Sequence, residues 1–325
     1  MPQSVWTEEE LLDGRRVRCL AIILSTAGCS WWRESGGCYM CGYNEKASDG
    51  STTGSDILAQ FEKAWESYDN HSIVKVYTSG SFTDESEIPS AVREEILRRV
   101  ELSGAKMLFE SRPEHINAES MRECVGLCPD LEVAIGLESS NDRILGKSIH
   151  KGFTFKDYER AAKIALSVRA TVRTYLLLKP PYLTEEEAID DVIQSVSKAS
   201  PYSRVITVNP VNVQRRTAVE KMWKAWAYRP PWLWSVVEAL RRAESGGSLL
   251  LSSLVGAGSE RGPHNCGSCD ADVAASIDGF NLSQDKKKLE RHDCECKGKW
   301  RESLSEEKFA VSPGDHDKFF SRGQS

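Results

Sequence analysis

The sequence predicts an α/β protein, a partly open barrel built from six strand–helix units. Three observations point there. Short β-rich runs recur along the chain, helical patterns alternate with them, and the small and charged residues gather at the carboxyl ends of the runs. The runs are 19–25, 73–79, 106–110, 131–137, 171–178 and 204–211, each short, apolar and rich in branched or aromatic residues. Between them, Asp56–Tyr68 places Ile57, Leu58, Phe61, Ala64, Trp65 and Tyr68 on one helical face. Asp157–Val168 does the same with Tyr158, Ala161, Ala162, Ala165 and Val168. Glu185–Ser197 repeats the pattern with Ala188, Ile189, Val192, Ile193 and Val196, and Thr184 is placed to cap it. Strands alternating with helices imply right-handed β-α-β units on a parallel sheet. Six units are too few for a closed eight-fold barrel, and a doubly wound open sheet is the alternative. Both put the chemistry at the strands' carboxyl ends.

Composition bounds the rest. The chain has 325 residues, 42 Lys plus Arg against 48 Asp plus Glu, a net charge of −6 and 40% hydrophobic residues, enough for a buried core. No apolar run approaches the roughly 18 residues of a membrane helix. Residues 1–18 are polar, with no basic-then-apolar leader, so the expectation is a cytoplasmic protein without membrane attachment. Ten cysteines in a reducing compartment read as metal or catalytic groups rather than disulfides. The division expected is a lead-in over 1–18, a barrel over 19–245, a Cys-rich metal-binding region over 246–300 and a polar tail over 301–325. The Ser245-Gly246-Gly247-Ser248 stretch marks the boundary.

Cys29, Cys38 and Cys41 follow the first predicted strand directly, with Ser35-Gly36-Gly37 giving the loop freedom to wrap a ligand. Three thiolates on one loop can hold three irons of a [4Fe–4S] cubane and leave the fourth open. An open iron chelates the amino and carboxylate groups of S-adenosylmethionine, and one electron passed to the sulfonium releases a 5′-deoxyadenosyl radical. A zinc knuckle completed by a distant ligand is the other reading.

On this triplet and its position, the chain resembles the radical S-adenosylmethionine superfamily, most closely the branch of the Elongator catalytic subunit. The long first gap is similar to that branch's variant. Where the family often has an aromatic before the last cysteine, this chain has Met40, flanked by Tyr39 and Tyr43. The resemblance implies a partial (β/α)6 barrel of the TIM type. It gives the strand-end residues cofactor-binding roles: Ser79, Gly80 and Ser81 resemble the turn that meets the methionyl amino group. Glu110, Arg112 and Glu138 fall where the family contacts ribose and methionyl groups, and Lys179 is a further candidate for cofactor or anionic substrate. Ordinary β-α turns and solvated rim charges explain the same residues.

Cys266 and Cys269, with Cys294 and Cys296, form two close pairs 24 residues apart, the pattern of a tetrahedral zinc site; an auxiliary iron–sulfur cluster is the alternative. His264 and His292 stand beside the pairs. In 214–234, Arg215, Arg216, Lys221, Lys224 and Arg229 interleave with Trp223, Trp226, Tyr228, Trp232 and Trp234, a composition suited either to unstacked RNA bases or to a packed core. Lys286, Lys287, Lys288, Arg291, Lys297, Lys299 and Arg301 add a second basic cluster.

Taken together, the stretches 37–43, 176–184, 219–240 and 266–296 resemble one archaeal family, the radical S-adenosylmethionine subunits of archaeosine synthase (RaSEA). That resemblance implies a lyase-type enzyme acting on the D-loop of tRNA. Its substrate is a lysine adduct of 7-cyano-7-deazaguanine, whose C–N bond is cleaved to give archaeosine. It further implies a lysine-transferase partner (ArcS) and an external electron donor.

Overall fold

The computed structural model describes residues 1–47, 52–290 and 292–310. One eight-stranded sheet runs in chain order from β1 to β8. The strands are β1 (Ser4–Leu12), β2 (Arg15–Ile23), β3 (Ile73–Tyr77), β4 (Lys106–Glu110), β5 (Leu131–Glu138), β6 (Thr171–Leu178), β7 (Val205–Pro210) and β8 (Leu249–Ser252). β1 pairs antiparallel with β2 and every later pair is parallel. The helices are α1 (Ser30–Ser35), α2 (Gly54–Trp65), α3 (Ser90–Glu101), α4 (Ala118–Leu127), α5 (Asp142–Ile144), α6 (Phe155–Ser167), α7 (Glu185–Ala199), α8 (Ala218–Lys224), α9 (Leu233–Arg242), α10 (Asp270–Asn281) and α11 (Cys296–Ala310). No helix among the described residues is long and apolar enough to cross a membrane.

The α/β partial barrel is thus present, and all six expected strands are in it. Two strands were not anticipated, β1 in the charged lead-in and β8 beyond Gly246. The sheet therefore continues past residue 246, and α10 packs on β8 and α9. Helix starts follow local chemistry: Thr53, Thr154 and Thr184 each close a capping box with an acid three residues on.

Alternation along each strand sorts side chains to two faces. Leu20, Ile22, Val74, Val76, Met107, Phe109, Val133, Ile135, Val172 and Leu176 face the helices in the main core. The other face lines a lumen, and the sheet curls enough that Arg173 of β6 bonds Glu10 of β1 at 2.9 Å. The lumen's lower end is closed by buried charges. Lys75 bonds Glu10 at 2.5 Å and Glu8 at 2.6 Å, and Arg173 bonds Glu132 at 2.7 Å. Burial alone would raise the Glu10 carboxyl, but Arg173 and Lys75 outweigh it and hold it at about 2. Cys19, Ile73, Leu108 and Ala134 pack on this same inner face.

Candidate functional site

The cysteine loop leaves β2 at the lumen's mouth. Cys29 is the residue before α1, with its N–H on Asn44 Oδ1 at 3.0 Å. Gly36 and Gly37 both take left-handed backbone (φ 82° and 76°) and turn the chain back to Cys38. A Cβ on Gly37 would lie 2.6 Å from the Trp32 ring. The Cys41 N–H bonds the Cys38 carbonyl at 3.1 Å. His150 fastens this loop from the other side: its Nδ1 is 2.8 Å from the Gly37 carbonyl and its ring stacks on Tyr39 at 5.1 Å. Trp31 Nε1 donates to the His150 carbonyl at 2.9 Å. The sequence reading did not single out His150, whose left-handed backbone (φ 60°) ends a π-helical turn over Leu145–Ile149.

Burial pushes the Cys41 thiol up to about 12 and the Cys38 thiol in the same direction. These thiols become thiolates only against a bound positive charge. Three thiols on one loop are the donor set that holds three irons of a [4Fe–4S] cluster and leaves the fourth open, whereas a zinc knuckle would need a fourth ligand from elsewhere.

The turn after β3 packs directly against this loop. A Cβ on Gly80 would sit 2.7 Å from Cys29 Cα and 2.2 Å from Glu87 Oε2, so only glycine fits. Glu87, which sequence reasoning missed, is the buttress: it accepts from Gly80 N at 3.1 Å, Ser81 N at 2.5 Å and Thr26 Oγ1 at 2.6 Å. With those amides committed, the turn offers a ligand carbonyl oxygen rather than N–H. Ser79 Oγ donates to the Tyr43 carbonyl at 3.3 Å, and Ser81 Oγ accepts the Arg112 N–H at 3.0 Å.

Arg112 and Lys179 both point away from a simple ligand role. The Arg112 guanidinium donates to Glu114 at 2.5 Å and the Lys151 carbonyl at 2.9 Å, and lies over the Trp31 and Phe153 rings. It locks α1 to the segment after β5. The Lys179 ammonium is buried between Glu185 and Glu307, on α7 and α11, which satisfies its charge within the protein. Glu138 sits at a register shift in β5 with left-handed backbone (φ 69°) and pairs with Lys151 at 2.8 Å. A Cβ on Gly136 would crowd that carboxylate at 2.8 Å.

Glu110 ends β4 beside Glu138 and Tyr77. Burial and the nearby Glu138 charge, opposed by Lys151, push its carboxyl up to about 8. It therefore keeps its proton at neutral pH in the folded chain and loses it near 4.5 when unfolded. The stability it contributes is full below that lower value and is lost as pH rises toward 8. Glu110→Gln, which mimics the protonated group, is expected to raise Tm relative to wild type by an amount that grows from pH 5 to pH 8. Thermal melts across that range check it, and an unchanging difference contradicts it.

At the other end of the chain four thiols converge. Cys266 and Cys269 are 3.9 Å apart, Cys266 and Cys294 3.8 Å, and Cys269 and Cys296 3.6 Å. A tetrahedral ion with bonds of about 2.3 Å sets its sulfurs about 3.8 Å apart. The Trp234 indole N–H reaches Cys296 Sγ at 3.3 Å, and Asn265 Nδ2 reaches Cys269 Sγ at 3.4 Å. Backbone N–H groups of Ser268 and Cys269 hold the Cys266 thiol down at about 7. Neither histidine belongs to the group; His264 Nδ1 is 2.8 Å from the Gly262 carbonyl.

The aromatic stretch divides. Tyr228 and Trp234 are buried in the core. Arg229 is half-buried, lies 4.0 Å over Trp232 and donates to the Pro230 and His264 carbonyls, so it is a packing residue rather than a surface cation. Arg216 pairs with Glu45 and Lys224 with Glu220, while Arg215 and Lys221 are exposed. In the second basic cluster Lys286 and Lys288 donate to the Ala243 and Gly279 carbonyls, and Arg291 lies outside the described residues, as do 311–325.

No family model matches the chain. Over 316 residues it is 41% identical to the archaeosine synthase subunit beta of Methanosarcina acetivorans, covering 95% of this chain and 91% of that protein. It is 38% identical over 307 residues to the archaeosine synthase subunit beta of Thermococcus kodakarensis, covering 91% and 95%. Among solved structures it shares its fold with the archaeal Elp3 of Methanocaldococcus infernus lacking its N-terminus. That match has a TM-score of 0.51 at 14% identity and covers 81% of this chain, which spans 63% of that one. Identity at this level over nearly the whole length is decisive: the chain belongs to the archaeosine synthase subunit beta family.

Proposed function

We propose that this chain is the radical S-adenosylmethionine subunit of an archaeosine-forming enzyme. Cys29, Cys38 and Cys41 are the residues that would hold a [4Fe–4S] cluster, with S-adenosylmethionine beside it. Once loaded and reduced by an external donor, that pair supplies a 5′-deoxyadenosyl radical able to attack an unactivated C–H bond. The protein's own residues do the rest. Glu87 fixes the Gly80 turn against Cys29 by taking its amides, which leaves backbone carbonyls as the groups able to accept from an ammonium. Glu138 and Lys151 present a charged pair beside Cys38, suited to the carboxylate and hydroxyls of the same cofactor. Glu110, which burial and the Glu138 charge keep protonated at neutral pH, leaves a neutral carboxyl beside that pair. Arg112 and His150 orient the loop from behind.

The substrate in this reading is the lysine adduct of 7-cyano-7-deazaguanine in the tRNA D-loop, made by a lysine-transferase subunit. Its C–N bond is cleaved to leave the formamidine of archaeosine. An acidic chain (net charge −6) accords with one that shares its tRNA affinity with a partner. The observation that carries the proposal is the thiol triplet on the loop after β2, packed against the Gly80 turn at the carboxyl ends of the strands. At the C-terminal site the sulfur spacing favours one zinc over an auxiliary cluster, and the Cys-rich region from 246 is read as a stapled extension of the barrel.

Anaerobic reconstitution with iron and sulfide, then reduction in the presence of S-adenosylmethionine, is expected to release 5′-deoxyadenosine. Adding adduct-bearing tRNA should yield archaeosine. Release without any tRNA-dependent product would move the substrate to another class, and no release from a fully loaded sample would overturn the radical reading.

A further inference from the structure

Helix α8 ends in a left-handed turn. The Ala227 N–H bonds the Met222 carbonyl at 2.9 Å and the Trp226 N–H bonds the Trp223 carbonyl at 3.0 Å. This is the Schellman arrangement, whose left-handed position is ordinarily glycine because a side chain there is strained. Here that position is Trp226, with φ 58°, and its side chain is 96% exposed. Two unfavourable features coincide on one residue, a bulky side chain in left-handed backbone and a fully hydrated indole. Neither serves packing. The same turn ends α6 with Arg169 at its left-handed position (φ 69°), so what sets Trp226 apart is the large exposed indole that the turn holds out.

The position of α8 says where that function lies. The Val219 N–H bonds the Tyr39 carbonyl at 3.3 Å, the Gly42 N–H bonds Gln214 Oε1 at 2.6 Å and Arg216 pairs with Glu45 at 2.6 Å. Met40 and Trp223 both pack against the small core that includes Leu177, Val219 and Met222. The helix is therefore fastened to the cysteine loop, and Trp226 stands on the same rim. Arg215 and Lys221 are exposed on this segment with no ion-pair partner among the described residues. An indole face among cations matches an unpaired base with its phosphates. A protein partner would more typically cover a contiguous apolar patch.

We propose that Trp226 is a stacking platform for an unpaired base of an RNA substrate, with Arg215 and Lys221 contacting the flanking phosphates. This presupposes the tRNA reading given under Proposed function. The test uses the metal-loaded full chain and two probes, an archaeal tRNA transcript and a blunt RNA duplex without unpaired bases, each with and without the partner subunit. Trp226→Gly is expected to bind the transcript about five- to a hundred-fold more weakly, the loss of one stacked base. It should bind the duplex unchanged and melt at the same temperature or higher, because glycine relieves the backbone. Trp226→Phe should retain most of the affinity. Arg215→Ala and Lys221→Ala should each lower the salt slope of binding by about one.

A Trp226→Gly chain that binds the transcript like wild type overturns the proposal. If that variant loses the partner subunit instead, Trp226 is a subunit-docking residue, which also overturns it. A wild-type chain that shows no preference for the transcript over the duplex, even with its partner, defeats the tRNA reading itself.

Discussion

Replacing Cys38 by serine is expected to lower 5′-deoxyadenosine formation by more than about a hundred-fold while leaving the fold in place. Even outer partners of metal ligands change affinity or activity by about 10- to 100-fold, so loss of a direct ligand sets a larger effect. The fold survives because the loop does not depend on the Cys38 side chain. Its shape is held by the Cys41-to-Cys38 backbone bond, by Tyr39 N on the Ile149 carbonyl at 3.0 Å, and by His150 on Gly37. Circular dichroism and the melting temperature should match wild type in the unloaded state, while iron content falls. A Cys38→Ser chain that keeps its iron and its S-adenosylmethionine cleavage would show that the cluster is elsewhere.

Stripping the C-terminal metal is expected to do the opposite, costing structure first. Cys266, Cys269, Cys294 and Cys296 draw together the start of α10, the start of α11 and, through Trp234, the side of α9. Structural zinc contributes apparent binding free energies of about 10–16 kcal/mol, more than the whole stability of many domains. Without it, a cluster of like-charged or buried thiols remains, and two buried indoles lose their setting. Trp300 Nε1 bonds Ser235 Oγ at 2.8 Å across the same junction. Loss of α11 also frees Glu307 from Lys179 and from the Glu185 N–H, where it sits at 2.6 Å. Chelation, or Cys296→Ala, should therefore give a red-shifted tryptophan emission, cleavage by protease after about residue 256, and a Tm lower by an amount equivalent to several kcal/mol. An unchanged melt in chelator would mean that the thiols are inert.

The barrel was legible because its strands are written as short apolar runs between helical faces, and Thr184 marks the start of α7; Thr53 and Thr154 cap α2 and α6 in the same way but were not singled out. β1 was not legible for a specific reason. Glu8, Glu9 and Glu10 read as a solvated lead-in, and nothing local says that Lys75 and Arg173 wait on the inner face to pair with Glu8 and Glu10. β8 was hidden for the converse reason, since a four-residue run after a Gly-Gly turn carries too little pattern to separate a strand from a linker.

The sites divide the same way. Both cysteine groups could be read from spacing, because thiols in close sets have few alternative uses in a reducing compartment. Their supports could not. Glu87 acts through backbone amides, His150 through a carbonyl, and Gly80 through a close approach that only the folded loop creates. The pairing of Lys179 with Glu307 could not be read, because that partner lies 128 residues away. The tryptophan-rich stretch is divided by burial, which its composition could not show, with Trp234 in the core and Trp226 exposed.

The most direct test of the account is metal and sulfide analysis of anaerobically loaded chain, wild type beside Cys38→Ser. The prediction is iron matched by acid-labile sulfide plus one zinc in the wild type, with Cys38→Ser losing iron and sulfide and keeping zinc. Zinc alone in the wild type, or iron that vanishes only when Cys296 is changed, would contradict it.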